Sequence, residues 1–323
     1  MDSNMEEVNR FLLQGTQVPI HKIRMKAQTW LITGASGLIG TELVPFLIRE
    51  GHEVRTLSRS PQPHQPHAYV WDPASDILDK KALENVDVVV HMAGASVGQR
   101  WTPQHKRDIL ESRVSGTSLL AREAQSCGFE GTWIQASAVG YYGNTCEPQT
   151  EKAAQGDGFL ADVVKQWENA SHTDSSNGFR RVHLRLGLVF SGKGGTLSKL
   201  WPIYQTGLGA PLGTGTQCMS WIHLEDVVRL IHWASTSEVE GACNACAPEA
   251  TTNRAFSQAL AAAVRRPHWA PAVPAWALRL AMGEMSSLML QGQNVVPQVL
   301  LHAGFEWKYP TLQEALEACA AER

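Results

Sequence analysis

The chain has 323 residues, of which 43% are hydrophobic and 18% charged, and its formal net charge is -3. That length suits one large α/β domain with an appended lobe, or two modest domains. The small charge gives no electrostatic reason to expect nucleic acid or an anionic membrane as partner, and no apolar run reaches the ~18 residues that span a bilayer.

Residues 1–26 are mixed in polarity, with acids at Asp2, Glu6 and Glu7. They lack the basic segment followed by an apolar core that marks a signal peptide. We interpret them as a flexible N-terminal extension.

The most informative stretch is a glycine loop at residues 34–40, Gly-Ala-Ser-Gly-Leu-Ile-Gly. It follows the apolar run 30–33 and opens an apolar-periodic segment, an order that predicts strand, glycine turn and helix. Such a loop places backbone N–H groups and the positive end of a helix beside a pyrophosphate. Gly34, Gly37 and Gly40 supply the tight turn and the absence of blocking side chains.

The end of the second predicted strand, residues 53–57, bears on cofactor choice. Folds that prefer NAD place an Asp or Glu about 20 residues after the loop, where it binds the ribose hydroxyls. This chain has Ser58 and Arg59 there and no carboxylate. Arginine can bind a 2′-phosphate bidentately, and serine can donate a hydrogen bond to it. The sequence therefore favours NADP(H), the alternative being that Arg59 is a solvated loop residue.

Predicted strands and helices alternate through the first two-thirds of the chain. They comprise a strand at 86–91, a helix at 103–125, a strand at 132–136 ending in Ser137, a helix at 158–171 and a strand at 182–190. Alternation of this kind predicts the α/β class, a Rossmann-type doubly wound parallel sheet with helices on both faces. Ligands bind such sheets at the carboxyl ends of the strands.

The composition changes after Phe190, where glycines, prolines and tryptophans become frequent. We predict an NADP-binding Rossmann domain over residues 27–190 and a smaller C-terminal substrate lobe over residues 191–323. Residues 221–228 have an acidic first turn and predict a helix that returns from the lobe to the main domain.

The cysteine pattern argues against a metal site. Cys243 and Cys246 form a single C-x-x-C with no second pair and no histidine at ligand spacing, whereas structural zinc needs a full tetrahedral ligand set. A redox pair is the alternative. We favour small buried residues on a strand, and expect no metal and a reduced, cytoplasmic protein.

The motifs together resemble the epimerase-like atypical branch of the short-chain dehydrogenase/reductase superfamily, whose extended members space the loop glycines at i, i+3 and i+6. The resemblance covers about residues 28 to 318 and includes the small C-terminal domain of that family. The matching segments are 34–40, 71–72, 92–94, 100–113, 138–143, 185–189, 211–215, 220–226, 292–297 and 304–305.

The resemblance implies a set of cofactor contacts. They are Gly34, Ser36, Gly37, Leu38, Ile39 and Gly40 at the pyrophosphate, Ser58 and Arg59 at the 2′-phosphate, Met92, Ala93 and Gly94 along the adenosine or ribose, Arg113 from the long helix, and Val189 near the nicotinamide. The alternative for Arg113 is a surface charge paired with Asp108 or Glu111.

The superfamily transfers a proton with a Tyr-x-x-x-Lys pair, which should lie on the helix predicted from residue 158. No register of that helix contains the pair, because Ala161 stands four residues before Lys165. The usual proton donor is therefore missing. This departure from the family pattern requires either a substitute acid or a different role for the protein.

Substitutes follow the strand that ends near Ser137. Ser137 could orient a substrate oxygen if it is allowed to lie one residue away from the position of the family's serine. Tyr141 or Tyr142 could act as the acid/base, assisted by Arg185. Both tyrosines could instead pack in their loop. His223 could also act as an acid, although such a histidine more often ties down a loop.

Two functions fit the sequence. The first is an NADP(H)-binding oxidoreductase or epimerase-like enzyme that acts on a small carbonyl or sugar-like substrate. The second is a non-catalytic NADP(H)-binding sensor or regulator. The missing Tyr-x-x-x-Lys pair favours the sensor, whereas Ser137 and the adjacent tyrosines favour the enzyme. The sequence leaves a homodimer open.

Overall fold

The computed structural model describes residues 26–60, 67–172 and 178–323. The predicted flexible extension, residues 1–26, lies outside the described residues except for its last position. Within the described part, no helix combines the length and apolar character that crossing a membrane would need.

The strands, in chain order, are β1 (Thr29–Thr33), β2 (Glu53–Ser58), β3 (Ala68–Asp72), β4 (Ile77–Leu78), β5 (Val88–His91), β6 (Thr132–Ala138), β7 (Thr145–Gln149), β8 (Arg180–Leu186), β9 (Leu188–Phe190), β10 (Cys218–Met219), β11 (Trp221–His223), β12 (Gly241–Ala245), β13 (Thr251–Thr252) and β14 (Gln293–Val295).

The helices are α1 (Gly40–Arg49), α2 (Pro103–Ser126), α3 (Phe159–Asn169), α4 (Gly195–Gln205), α5 (Leu224–Thr236), α6 (Asn253–Ala263), α7 (Ala275–Met282), α8 (Ser287–Leu290), α9 (Gln298–His302) and α10 (Leu312–Ala321). Short 3-10 turns occur at Pro73–Ser75, Lys80–Leu83, Val139–Tyr142 and Gly283–Ser286.

Eight strands form the central sheet, in the order β12-β8-β6-β5-β1-β2-β3-β4. Neighbouring strands are parallel except for β4, which pairs antiparallel with β3. The order runs outward in both directions from β1, and the β1 and β5 ends lie side by side with Thr33 opposite His91. This arrangement confirms the predicted Rossmann-type parallel sheet.

Alternate residues of the central strands bury against opposite layers of helices. Trp30 and Ile32 pack with apolar residues of α1 and α5 in one core. Leu31, between them, packs with residues of α2 in a second core. Burial of both faces explains why the strands read as continuous apolar runs.

The structure corrects two predicted boundaries. The strand predicted over 182–190 is two strands, because the chain leaves the main sheet at Gly187 and β9 pairs with β11 instead. A Cβ on Gly187 would lie 2.8 Å from the carbonyl oxygen of Ser220, so only glycine allows this close passage. The helix predicted from Trp221 begins at Leu224, because residues 221–223 form β11.

A third apolar core lies in the C-terminal half. It is formed by residues of β9, β11, α4, α6 and α10, with Trp201 and Trp221 among the fully buried side chains. Residues beyond 190 also belong to the central sheet, because β12 is an edge strand of that sheet and pairs with β8. The predicted division into two domains at residue 190 therefore stays a prediction.

The expectation of a fully reduced protein is wrong for one pair of cysteines. Cys146 on β7 and Cys218 on β10 form a disulfide across 72 residues, with Cα atoms 5.6 Å apart. Sequence spacing could not show this pairing, because the fold alone brings the two short strands together. Cys243 and Cys246 are free and buried, as predicted.

Candidate active site

The glycine loop passes very close to the end of β5. Gly34 has φ +72°, and a Cβ there would lie 3.0 Å from the Met92 carbonyl carbon and 3.1 Å from the Ala93 nitrogen. Both the left-handed backbone and the short separation require glycine. The loop therefore lies against the segment that the resemblance places along the adenosine.

The other two loop glycines have different roles. Gly40 is buried, and a Cβ there would lie 2.5 Å from the carbonyl oxygen of Gly34, so it allows α1 to start directly against the loop. Gly37 donates its N–H to the same carbonyl oxygen at 3.0 Å and closes the turn, while its own surface is exposed.

The start of α1 has unpaired donors. Its N-cap residue, Ile39, makes no side-chain capping bond. Among the described residues, the N–H groups of Ser36, Leu38 and Ile39 find no protein acceptor. Unpaired N–H groups at a helix N-terminus are an anion site. The loop therefore fits the pyrophosphate that the sequence predicts.

Ser58 and Arg59 lie at the carboxyl end of β2, on the same edge of the sheet as the glycine loop. The Ser58 hydroxyl accepts the N–H of Ser60 at 3.3 Å. Arg59 is exposed, and within the described ranges nothing hydrogen-bonds or pairs with its guanidinium. The arginine is therefore available to an anionic ligand.

Arg113 approaches the same edge from α2. Its guanidinium donates to the carbonyl oxygens of Ala95 at 3.0 Å and Ile109 at 3.1 Å and lies 5.0 Å from the Trp167 ring. A Cβ on Gly94 would lie 3.1 Å from its Cζ. No carboxylate of the described chain pairs with it, so neither Asp108 nor Glu111 plays the alternative role considered from the sequence.

Arg113 is consequently a largely buried cation without a counter-ion in the described chain. Burial lowers the pKa of its guanidinium to about 10. A buried charge of this kind is costly unless a partner compensates it. A ligand anion would be such a partner if it bound at the carboxyl ends of β1, β2 and β5, along the glycine loop, Ser58, Arg59 and residues 92–94, a surface that we call the cofactor groove.

Val189 lies in β9, which ends just before a turn that packs on the glycine loop. Leu38 of the glycine loop contacts this turn, because Cβ atoms on Gly194 and Gly195 would lie 3.0 and 2.9 Å from its methyl carbons. Val189 itself is half-buried and pairs with Ile222 of β11. The packing thus brings the end of β9 beside the loop.

Ser137 does not end its strand, since β6 continues to Ala138. Its buried hydroxyl donates to Glu168 Oε1 at 2.5 Å. Arg185 of β8 binds both oxygens of the same carboxylate, at 2.9 and 2.8 Å. The serine that was predicted to orient the substrate is therefore hydrogen-bonded to the buried Glu168–Arg185 ion pair.

Tyr142 belongs to the same network. Its hydroxyl accepts from Arg185 at 2.9 Å and donates to Asn244 Oδ1 at 2.7 Å. Burial raises the pKa of the Tyr142 phenol to about 12, against the opposing effect of Arg185. Its proton is therefore held by a protein acceptor.

Tyr141 differs from its neighbour. Its ring lies against the Arg185 guanidinium, with Cζ 3.5 Å from the ring centroid, and edge-on to the Tyr142 ring. The side chain is half-buried, and its hydroxyl bonds to no group in the described part of the chain. Of the three predicted catalytic hydroxyls, this one remains free.

His223 is fully buried and ties down α5. Its Nδ1 accepts the N–H of Glu225 at 3.2 Å, and its ring packs on Tyr309 with centroids 4.1 Å apart. Its Nε2 lies 3.7 Å from a Glu322 oxygen. Burial lowers the pKa of the imidazole. These contacts support the loop-tying alternative.

Sequence reasoning missed Glu168 and Asn244. Helical periodicity places Glu168 one turn after Val164, on the buried face of α3, and a carboxylate on an apolar face was a signal that could have identified it. Asn244 had no such signal, because its partners Tyr142 and Val296 are distant in sequence.

The fold and the groove together define a Rossmann-type dinucleotide-binding protein, with an anion-binding loop at the carboxyl ends of parallel strands. The chain belongs to the NAD dependent epimerase/dehydratase family, whose family model matches residues 30–246. A second match, to a domain of unknown function (DUF1731), covers residues 273–319. The sequence-based resemblance is thereby confirmed.

Relatives span nearly the whole chain. The epimerase family protein Mb2239 of Mycobacterium bovis is 39% identical over 290 residues, which cover 88% of this chain and 95% of the relative. The mouse epimerase family protein SDR39U1 is 33% identical over 90% of this chain and 99% of its own. The human SDR39U1 (isoform 2) structure with NADPH has 30% identity and a TM-score of 0.81, covering 91% of this chain and 99% of that chain.

Proposed function

We propose that this protein is an NADP(H)-binding oxidoreductase or epimerase-like enzyme that acts on a small carbonyl or sugar-like substrate. The observation that carries the proposal is that, within the described residues, the N–H groups of Ser36, Leu38 and Ile39 have no acceptor and Arg113 has no counter-ion. An anionic dinucleotide would satisfy both. The human relative solved with NADPH supports the choice of cofactor.

The groove offers each part of NADP(H) a partner. Gly34, Gly37 and the first turn of α1 would hold the pyrophosphate, and Ser58 and Arg59 would hold the 2′-phosphate. The segment Met92–Gly94 would line the adenosine or ribose, with Val189 toward the nicotinamide. The bound nicotinamide would supply or accept hydride.

Tyr141 is the acid/base in this proposal. Its half-buried hydroxyl has no hydrogen-bond partner among the described residues, so a substrate oxygen could exchange a proton with it directly. The Arg185 guanidinium lies against the Tyr141 ring, with Cζ 3.5 Å from its centroid, and would hold the phenol in place. Ser137 and Tyr142 then act indirectly, because both help to hold the Glu168–Arg185 pair in place.

The alternative is a non-catalytic NADP(H) sensor. The observation that favours it is the commitment of the Ser137 and Tyr142 protons to buried acceptors, Glu168 and Asn244. A sensor would bind the cofactor through the same loop and would turn over no carbonyl compound. A cytoplasmic location, a homodimer and a substrate lobe at residues 191–323 stay predictions of either function.

Fluorescence titration with NADPH and NADH tests the binding part. We expect tighter binding of NADPH, and loss of binding in a folded Gly37→Val variant, whose side chain would occupy the exposed face of the loop. Gly98→Ala is the matched control, because a Cβ there would meet only the Ser96 hydroxyl oxygen, at an ordinary contact distance of 3.6 Å. Equal affinities for the two cofactors would contradict the NADP preference.

Turnover tests the catalytic part. Single-turnover oxidation of bound NADPH should be followed over a panel of small carbonyl compounds and nucleotide sugars. Oxidation that depends on one substrate class supports the enzyme. Tight NADPH binding with no oxidation across the panel would support the sensor.

A further inference from the structure

A network of buried hydrogen bonds links the carboxyl ends of β1 and β5, at the cofactor groove, to helices α2 and α3. Thr33 Oγ1 lies 2.7 Å from His91 Nδ1, and His91 Nε2 lies 2.9 Å from Thr117 Oγ1. Trp167 Nε1 donates to the same Thr117 oxygen at 3.1 Å. The hydrogen-bond network thus connects β1, β5, α2 and α3. Its members Thr33, His91 and Thr117 are fully buried.

The number of lone pairs on Thr33 decides which group donates in each hydrogen bond of this network. The Thr33 hydroxyl oxygen accepts two N–H groups, from Met92 at 3.0 Å and Ala93 at 3.2 Å. Both of its lone pairs are then occupied, so its proton must point to His91 Nδ1. His91 therefore carries its own proton on Nε2 and donates it to Thr117.

The surroundings keep His91 neutral. Its ring packs edge-on against Trp71 and at a tilt against Trp133, at centroid distances of 5.8 and 5.9 Å. Burial, together with the charge of Arg113, lowers the pKa of the imidazole to about 3. The acceptor at Nδ1 is therefore present throughout the physiological pH range.

We propose that His91 is a positioning residue that fixes the adenosine side of the cofactor groove through the Thr33 hydroxyl. With its proton directed to His91, Thr33 presents both lone pairs to the N–H groups of Met92 and Ala93. These residues lie where a Cβ on Gly34 would be 3.0 Å away, so a small shift of the β5 end would change the shape of the groove. The inference rests on the proposed function for the identity of the ligand.

Two separate measurements test this role of His91. Nitrogen-15 NMR of His91 in the cofactor-free protein should show the Nε2–H tautomer and no titration between pH 5 and 8. NADPH titration of Thr33→Val, which keeps the shape of the side chain but removes the acceptor, should show about tenfold weaker binding. Thr33→Ser retains the hydroxyl and should bind within about threefold of wild type.

Thr132→Val is the matched control for stability. Thr132 is a buried threonine at the opposite end of the sheet, where its hydroxyl accepts from Arg180. It should lower the melting temperature as Thr33→Val does, without changing NADPH affinity. If Thr33→Val and Thr132→Val change affinity alike, Thr33 has only a structural role.

The outcomes separate the two proposals. An Nδ1–H tautomer, or an ordinary titration of His91, overturns the positioning role whether or not NADPH binds. Failure of wild type to bind NADPH would overturn the proposed function while leaving the tautomer result intact. Should Thr33→Val not fold, the tautomer and the Thr33→Ser affinity still decide.

Discussion

The two halves of the candidate site are built in opposite ways. At the carboxyl ends of β1 and β2, the glycine loop and Arg59 present donors that have no partner among the described residues. At the ends of β6 and β8, Ser137, Arg185 and their neighbours are joined by hydrogen bonds at 2.5–2.9 Å in a buried network.

The difference follows from exposure. Donors in an exposed loop can be solvated by water until a ligand replaces it, so leaving them unpaired costs little. A buried carboxylate and guanidinium must be paired, because an uncompensated charge in the interior is expensive. The first half is therefore ready to bind a ligand. In the second half, Tyr141 is the one predicted catalytic hydroxyl without a hydrogen-bond partner among the described residues.

The sharpest test of this comparison is Tyr141→Phe against Tyr142→Phe. Loss of a positioned general acid should slow single-turnover hydride transfer about 10²–10⁴-fold in Tyr141→Phe. Tyr142→Phe should keep near-wild-type rates and instead lose about 1–3 kcal/mol of stability, because Arg185 and Asn244 lose their partner. The reverse pattern would assign the chemistry to Tyr142.

Glu168→Gln should break the buried network. Removing the charge leaves Arg185 without its counter-ion, and we expect a loss of about 3–5 kcal/mol in the free energy of unfolding at pH 7.5, measured by urea denaturation. Asp162→Asn, an exposed carboxylate on the same helix, is the control and should change stability by less than about 0.5 kcal/mol. Equal losses would show that the pair is energetically unimportant.

The same ion pair predicts a pH dependence. Burial alone would raise the pKa of the Glu168 carboxyl, but the hydrogen bonds and charge of Arg185 hold it below its ordinary value. A lowered native pKa stabilises the fold above the unfolded-state pKa of ~4.3, and this contribution is lost as pH falls through the native pKa. Acidification should therefore destabilise wild type more steeply than Glu168→Gln.

The disulfide lies next to the hydrogen-bonded half of the site, because it links β7, which follows the turn with Tyr141 and Tyr142, to β10. Cys146→Ser should lower the free energy of unfolding by about 2–4 kcal/mol under oxidising conditions. Cys127→Ser, an exposed free cysteine, is the control. Denatured, unreduced protein should react at the four free cysteines Cys127, Cys243, Cys246 and Cys319, and reaction at all six would contradict the bond.

Arg59→Ala tests the half of the site that is formed by the glycine loop and Arg59. Losing a charge-assisted contact should weaken NADPH binding by about 1.5–3 kcal/mol, roughly ten- to a hundred-fold. NADH lacks the 2′-phosphate and serves as the internal control, so its affinity should stay unchanged. A parallel loss for both cofactors would mean that Arg59 does not recognise the 2′-phosphate.

The amino-acid sequence by itself determined the parts of this protein that depend on local order. The glycine spacing, the apolar runs and the strand–helix alternation predicted the parallel sheet and the binding edge, because each depends on residues close together in the chain. The absence of a Tyr-x-x-x-Lys pair could also be recognised from the sequence, since the two residues of that pair lie on neighbouring turns of one helix.

Only the tertiary structure decided which predicted side chains remain free. Glu168 and Arg185 are 17 residues apart, Tyr142 and Asn244 are 102 apart, and the disulfide spans 72. Such partners meet only when β6, β8, β12 and α3 have packed. Ser137, Tyr141 and Tyr142 could therefore be identified as candidates from the sequence, but their different partners follow from long-range packing that no local pattern encodes.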